Sequence, residues 1–278
     1  MQTEIERYVE YYENGNIKCE YSLLNENTPA KTEYYENGKI KAIMYTIHNQ
    51  PHRIDGPAIS YYYQNGNVHI EGYYINGQMH NNKGPTHIEY YDNGNVKLVK
   101  YYINNKLHRE DGRAYIIYDE NGNVRCEIYY INGKRHKDGG PAYIEYDVNG
   151  SIKLEKYFIN DKLHRIDGPA YIDYYVDGGI KSECYCINDE WHREDGPARI
   201  QYNKNGNIKT RNYYLNGYRV NMNKYNNIDY NKLINLINQY NSIEYLLELK
   251  LITNIKFTKQ KDVLLELIDS KIIMLKIS

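Results

Sequence analysis

The heptapeptide HRIDGPA at residues 52–58 returns as HREDGRA at 108–114, HKDGGPA at 136–142, HRIDGPA at 164–170 and HREDGPA at 192–198, with an eroded copy, HNNKGPT, at 80–86. The leading histidines, His52, His80, His108, His136, His164 and His192, are each 28 residues apart. Copies spaced without insertion or deletion restrict the chain to a stack of equivalent units, each contacting its neighbours.

Residues 141–168 show what one unit contains. Ala142, Ile144 and Tyr146 alternate with Tyr143 and Glu145, the period of a β-strand. A second strand begins at Ile152, and the intervening VNG carries the Asn-Gly signal of a hairpin. A three-residue loop ending in Gly at positive φ is expected, pairing Tyr146 with Ile152, Ile144 with Leu154 and Glu145 with Lys153. The same register sets Glu89 opposite Lys97 and Asp173 opposite Lys181. Each such charge pair is worth about 0.2–1 kcal/mol. A second turn follows at 159–161, where a similar loop pairs Ile159 with Leu163. It sets Tyr157 beside Arg165, and likewise Tyr101 beside Arg109 and Tyr185 beside Arg193. Arginine over a tyrosine ring contributes about 0.5–1 kcal/mol. The Asp-Gly-Pro that closes the unit reads as a corner, with Asp accepting backbone hydrogen bonds, Gly permitting positive φ and Pro fixing φ. Drift at this corner, such as Arg113 in place of Pro and the early Asp138, fits a structural turn better than a catalytic group.

The ends differ from the middle. ENGN at 13–16 and ENGK at 36–39 are 23 residues apart without a corner between them, so 1–50 reads as short, degenerate repeats opening the array. Six full repeats occupy 51–220. Beyond that, Leu233, Ile234, Leu236, Ile237 and Tyr240, then Ile243, Leu246, Leu247 and Ile252, then Val263, Leu264, Leu267, Ile268 and Leu275 recur at helical spacing. Asn227 or Asp229, Ser242 and Thr258 are the expected N-caps. Residues 221–278 are therefore expected to be a helical segment that either covers the last strand edge or binds a partner. The expected fold class is mainly β: an elongated single-layer antiparallel sheet of tandem 28-residue hairpin repeats with a small C-terminal α-helical segment. At about 4.8 Å per strand, the repeats would extend on the order of 80–100 Å.

Net charge is −1, which gives no global attraction to nucleic acid or an anionic membrane. No run is apolar enough for a secretory leader or a membrane span. Cys19, Cys126, Cys184 and Cys186 match no metal-binding spacing and read as reduced thiols of a cytoplasmic protein.

The pattern YYxNGxIKxExxYxING, present as YYENGNIKCE at 11–20, YYENGKIKA at 34–42 and YYDNGNVK at 90–97, resembles the MORN-repeat family in its NG-rich variant from bacteria and large DNA viruses. The resemblance covers about residues 8–220. It implies an antiparallel sheet of successive hairpins, scaffold or interaction roles, homodimerisation in some members and an affinity for phospholipids. It also implies a location in host cytoplasm or virion if the source is viral.

Two features invite a functional reading. The His-Arg-x-Asp corner resembles the HRD of a kinase loop, but its near-copies lack the unique neighbourhood that catalysis needs. Histidines one repeat apart lie about 10–14 Å from each other by strand spacing, too far to share a metal at about 2 Å per ligand. The second feature is a lattice of aromatic rings, since 35 tyrosines accompany two phenylalanines and one tryptophan. Tyr73, Tyr101, Tyr129, Tyr157, Tyr185 and Tyr213 are expected on the face opposite the Ile144 stripe, as a candidate interaction surface. The chain is therefore read as a non-enzymatic repeat scaffold for protein–protein interaction or self-association, with no cofactor and no metal. The alternative is a carbohydrate-binding aromatic repeat module.

Overall fold

The computed structural model describes residues 7–22, 28–81, 83–225, 228–239, 242–256 and 261–277. The chain forms two compact units, 1–151 and 152–278. In the first, an antiparallel sheet adds hairpins in chain order, from Arg7–Tyr11 with Ile17–Ser22 through Tyr115–Tyr118 with Val124–Ile128 to the strand Tyr143–Tyr146. The second continues the same plan with Ile152–Lys156, Tyr171–Tyr174, Ile180–Cys184, Arg199–Tyr202 and Ile208–Leu215.

The hairpin loop has the predicted length. Tyr91 N–H donates to the Asn95 carbonyl, Gly94 N–H donates to the Tyr91 carbonyl, and Gly94 adopts φ 90°. Tyr90 pairs with Val96, Tyr118 with Val124, Tyr174 with Ile180 and Tyr202 with Ile208. Beyond that pair the expected register fails. A β-bulge shifts the ladder by one residue, so Glu89 faces Leu98 rather than Lys97, and Asp173 faces Ser182 rather than Lys181. The extra residue is the exposed lysine, and from Lys181 it reaches Asp173 diagonally at 2.8 Å. Because a one-residue slip inverts the faces, Ile116 now lies opposite Glu127, Ile144 opposite the same Glu127 on its other side, and Ile172 opposite Glu183.

The second turn also differs from expectation. Phe158 pairs with Leu163 and Ile159 with Lys162, leaving a two-residue loop in which Asn160 and Asp161 both have positive φ. This is the type I′ geometry that matches strand twist, and Asn followed by Gly, Asn or Asp tolerates it. These small hairpins form their own row. Arg165 N–H donates to the Cys186 carbonyl, Asp189 N–H to the Leu163 carbonyl and Gly217 N–H to the Trp191 carbonyl.

Where the two rows meet, Ala58, Ala114, Ala142, Ala170 and Ala198 are fully buried. The eroded repeat has Thr86 there, with its hydroxyl donating to the Lys100 carbonyl and accepting from Tyr102 N–H, so the extra polar atom is satisfied.

Three helices end the second unit: α1 (Tyr230–Gln239), α2 (Ile243–Lys256) and α3 (Lys261–Ile277). Asp229 caps α1 by accepting Lys232 N–H at 2.8 Å. Ser242 directly precedes α2 and its carbonyl accepts Leu246 N–H, whereas Asn227, Thr258 and Tyr240 lie outside the described residues. Leu233 and Ile237, Leu246, Leu249 and Ile252, and Leu264, Ile268 and Ile272 make one core. Val263 and Leu267, expected in the buried stripe, are exposed instead because α3 turns its Leu264 side inward. Leu251 on α2 packs on Leu215 and Val220, so the helices cover the far end of the last hairpin and leave residues 208–211 exposed.

The alanine column has no spare volume. Ala114→Leu should destabilise the protein by about 1–3 kcal/mol through overpacking, read as a lower urea midpoint at unchanged slope.

Candidate functional site

The corner is a three-layer stack. The guanidinium carbons of Arg53, Arg109, Arg165 and Arg193 lie 3.9–4.2 Å from the ring centres of Tyr45, Tyr101, Tyr157 and Tyr185. The predicted Arg–Tyr pairs are therefore present. On the other side of the guanidinium is the corner glycine. A Cβ on Gly168 would meet Arg165 Cζ at 2.9 Å, and one on Gly196 would meet Arg193 Cζ at 3.0 Å. Close approach, not positive φ, explains these glycines. Positive φ occurs only in the copy with the early Asp138, at Gly139. The Asp of the corner serves the arginine: Nε of Arg109, Arg165 and Arg193 donates to Asp111, Asp167 and Asp195 at 3.1, 2.9 and 2.7 Å. Nη1 of Arg165 and Arg193 donates to the Pro169 and Pro197 carbonyls.

Departures from the motif keep these roles. Lys137 sits 3.8 Å over the Tyr129 ring, and Asn81 replaces the arginine by donating to the Pro85 carbonyl at 2.7 Å. Arg113, in place of Pro, pairs with the buried Glu127.

The histidines join one repeat to the next. Nδ1 of His52, His108 and His192 accepts the backbone N–H of Asn76, Asn132 and Asn216 at 3.1–3.2 Å, at the type I′ turn that follows. The other ring nitrogen, Nε2, faces Glu110 in one copy and Glu194 in another. Among the described residues, no three His, Cys, Asp or Glu side chains gather as a metal site needs. The cysteines are free, and burial pushes the Cys186 thiol up to about 12.

Tyr73, Tyr101 and Tyr129 in the first unit, and Tyr157, Tyr185 and Tyr213 in the second, lie at the seam between the two rows. The bulge places them on the same side as Ile116 and the buried alanines rather than opposite, since Tyr101 N–H donates to Ala114 and Tyr157 N–H to Ala170. All six are half-buried. Tyr101, Tyr129, Tyr157 and Tyr185 carry a cation on one ring face, and Tyr213 packs with the Leu215 cluster beneath α2.

Two further tyrosine sets were hidden in the Tyr-Tyr pairs of the sequence. Tyr35, Tyr63, Tyr91 and Tyr175 hydroxyls donate to the carbonyls of Tyr62, Tyr90, Tyr118 and Tyr202, one repeat later. Tyr90, Tyr146, Tyr174 and Tyr202 hydroxyls reach back to Glu71, Glu127, Glu155 and Glu183 at 2.7–2.8 Å. Burial, then the hydrogen bond to Glu, raises all four phenols above their usual range.

With this geometry in view, the model of the MORN repeat variant matches residues 7–25, 31–48, 59–76 and 114–132, the last three each a hairpin with the start of its small partner. The chain carries repeats of the MORN family. Between the second and third matched segments lies the first His-Arg corner, so that addition is outside the family pattern. No curated protein matches this MORN-repeat chain. Among solved structures, it is similar to parts of TcdB2-TccC3-Cdc42 (13% identity over 75% of this chain, TM-score 0.15) and of TcdB2-TccC3 (11% over 78%, TM-score 0.15). A Photorhabdus luminescens Tc holotoxin pore is a third (11% over 76%, TM-score 0.14). The MORN-repeat chain spans only 13–16% of the length of those chains.

Gly168→Ala should lift Arg165 off Tyr157. A double-mutant cycle on Arg165 and Tyr157 should give about 0.5–1 kcal/mol of coupling in the wild-type background and none in G168A. The four raised phenols make a separate prediction. The unfolded chain releases these protons near pH 10 while the fold holds them. Their contribution is complete below pH 10 and is lost as pH climbs from there through the folded values, so urea midpoints should fall steeply between about pH 10 and 11.5.

Proposed function

We propose that this MORN-repeat chain is a non-enzymatic scaffold that presents a rigid sheet to a protein partner. The observation that carries the reading is where its reactive-looking groups go. Histidine Nδ1, the guanidinium groups and the corner carboxylates are engaged with one another or with backbone. Such groups, bonded to their neighbours, brace the surface of the corner. The MORN repeat itself is a non-catalytic repeat module, which agrees with this assignment.

The seam tyrosines give less support to carbohydrate binding. A sugar needs an open ring face, and four of the six seam tyrosines already have one face under a cation. The helical segment is read as a closure of the last repeat, because α2 buries Leu251 against Leu215 and Val220.

Cross-linking mass spectrometry of the tagged full chain in its native cell tests the reading. A stoichiometric partner cross-linked to the repeats is expected. Saturable glycan binding that disappears on Tyr→Ala along the seam would overturn it.

A further inference from the structure

Each main hairpin ends in a strand whose outer edge is taken by the next hairpin. Glu155 faces Ile172 and Glu183 faces Ile200 in this way. The last strand, Ile208–Leu215, is different. Its inner edge pairs with Arg199–Tyr202, and only Tyr213–Leu215 meet a further strand, Tyr218–Val220. Among the described residues, no strand lies on the outer edge of 208–212. Residues 208–211 are exposed, with Ile208 at 51%. An open edge of backbone N–H and C=O groups is a template for another strand.

The sequence of this edge carries one sign of charge, with Lys224 already facing Glu248 of α2 at 3.9 Å. No Asp or Glu occurs between Asp195 and Asp229, whereas Arg199, Lys204, Lys209, Arg211, Arg219 and Lys224 do. In a chain of net charge −1 this is a strong local excess. Arg211 lies opposite Ile200, where Glu127 lies opposite Ile116 and Glu183 opposite Ile172. In those repeats the incoming strand puts an isoleucine directly opposite the glutamate. Two residues further on, it puts a tyrosine whose hydroxyl donates to that glutamate. With arginine in place of glutamate, the complement of that tyrosine is a carboxylate.

We propose that Ile208–Asn212 accepts an extended acidic segment of a partner protein as the next strand of the sheet. Its apolar residue lies opposite Arg211, and an Asp or Glu two residues later pairs with the guanidinium. This rests on the scaffold reading and names the chemistry of its partner. Main-chain pairing supplies affinity, and Arg211 with Lys209 selects sign. The chain's own first strand, Arg7–Tyr11, fits less well, because the residue two after its Val9 is Tyr11 rather than an acid.

The test uses the full chain and a fluorescein-labelled peptide that repeats Val-Thr-Glu-Thr, so that an acid stands two residues after each Val, followed by anisotropy. The peptide should bind saturably. R211E should weaken it at least tenfold, with an unchanged circular dichroism spectrum. N-methylation of alternate peptide amides should weaken it at least tenfold, while charge and composition stay the same. Equal binding of the N-methylated peptide would overturn the strand. So would tighter binding of a single-stranded oligonucleotide, which would mark a general polyanion patch. Chain oligomers that R211E disperses, without peptide binding, would assign the edge to a second copy and reject the proposal. Absence of peptide binding beside a partner still cross-linked to the repeats would reject the edge and leave the scaffold reading standing.

Discussion

A strand at the rim of a sheet leaves its outward N–H and C=O groups without partners, and the next repeat is what satisfies them. That requirement organises this chain. A sheet of this kind has few apolar residues to bury, so cohesion between repeats is carried by directional polar contacts. The second strand of each hairpin bonds to the first strand of the next, and the small hairpins repeat the arrangement in a parallel row. Buried backbone groups left unpaired would cost more than the contacts themselves yield, which makes the array cooperative between neighbours.

Side chains reinforce the same direction. Tyrosine hydroxyls reach carbonyls one repeat ahead, others reach glutamates one repeat behind, and histidine Nδ1 receives the amide of the following turn. The Tyr–Arg–Gly stack fixes the corner from which each new repeat departs. Such a distribution explains why residues that look catalytic recur at a fixed spacing: each has a neighbour-to-neighbour task, and so each must be present in every copy. It also explains the substitutions. Lys137, Asn81 and Thr86 each supply the same contact by another atom.

Much of this was legible in the sequence. The period fixed the unit, Asn-Gly with Gly at positive φ fixed the loop, and the Arg–Tyr spacing survived even though the turn that produced it is shorter than expected. The bulge after the loop was not legible, because a lysine in a bulge and a lysine in a regular pair leave the same alternation in the text. That one residue reversed the face assigned to the seam tyrosines. The reason for the corner glycine was likewise hidden, since it depends on a guanidinium three residues earlier in sequence and above it in space. In the helices, apolar spacing located the elements but did not choose which stripe of α3 faces inward.

The central claim is that each repeat protects its predecessor's outer edge. Native-state hydrogen exchange of the full chain measures this directly. The amides of Glu155 and Glu183, facing a following hairpin, should exchange orders of magnitude more slowly than that of Arg211 at the uncovered end. An Arg211 amide as protected as Glu183 would contradict the account.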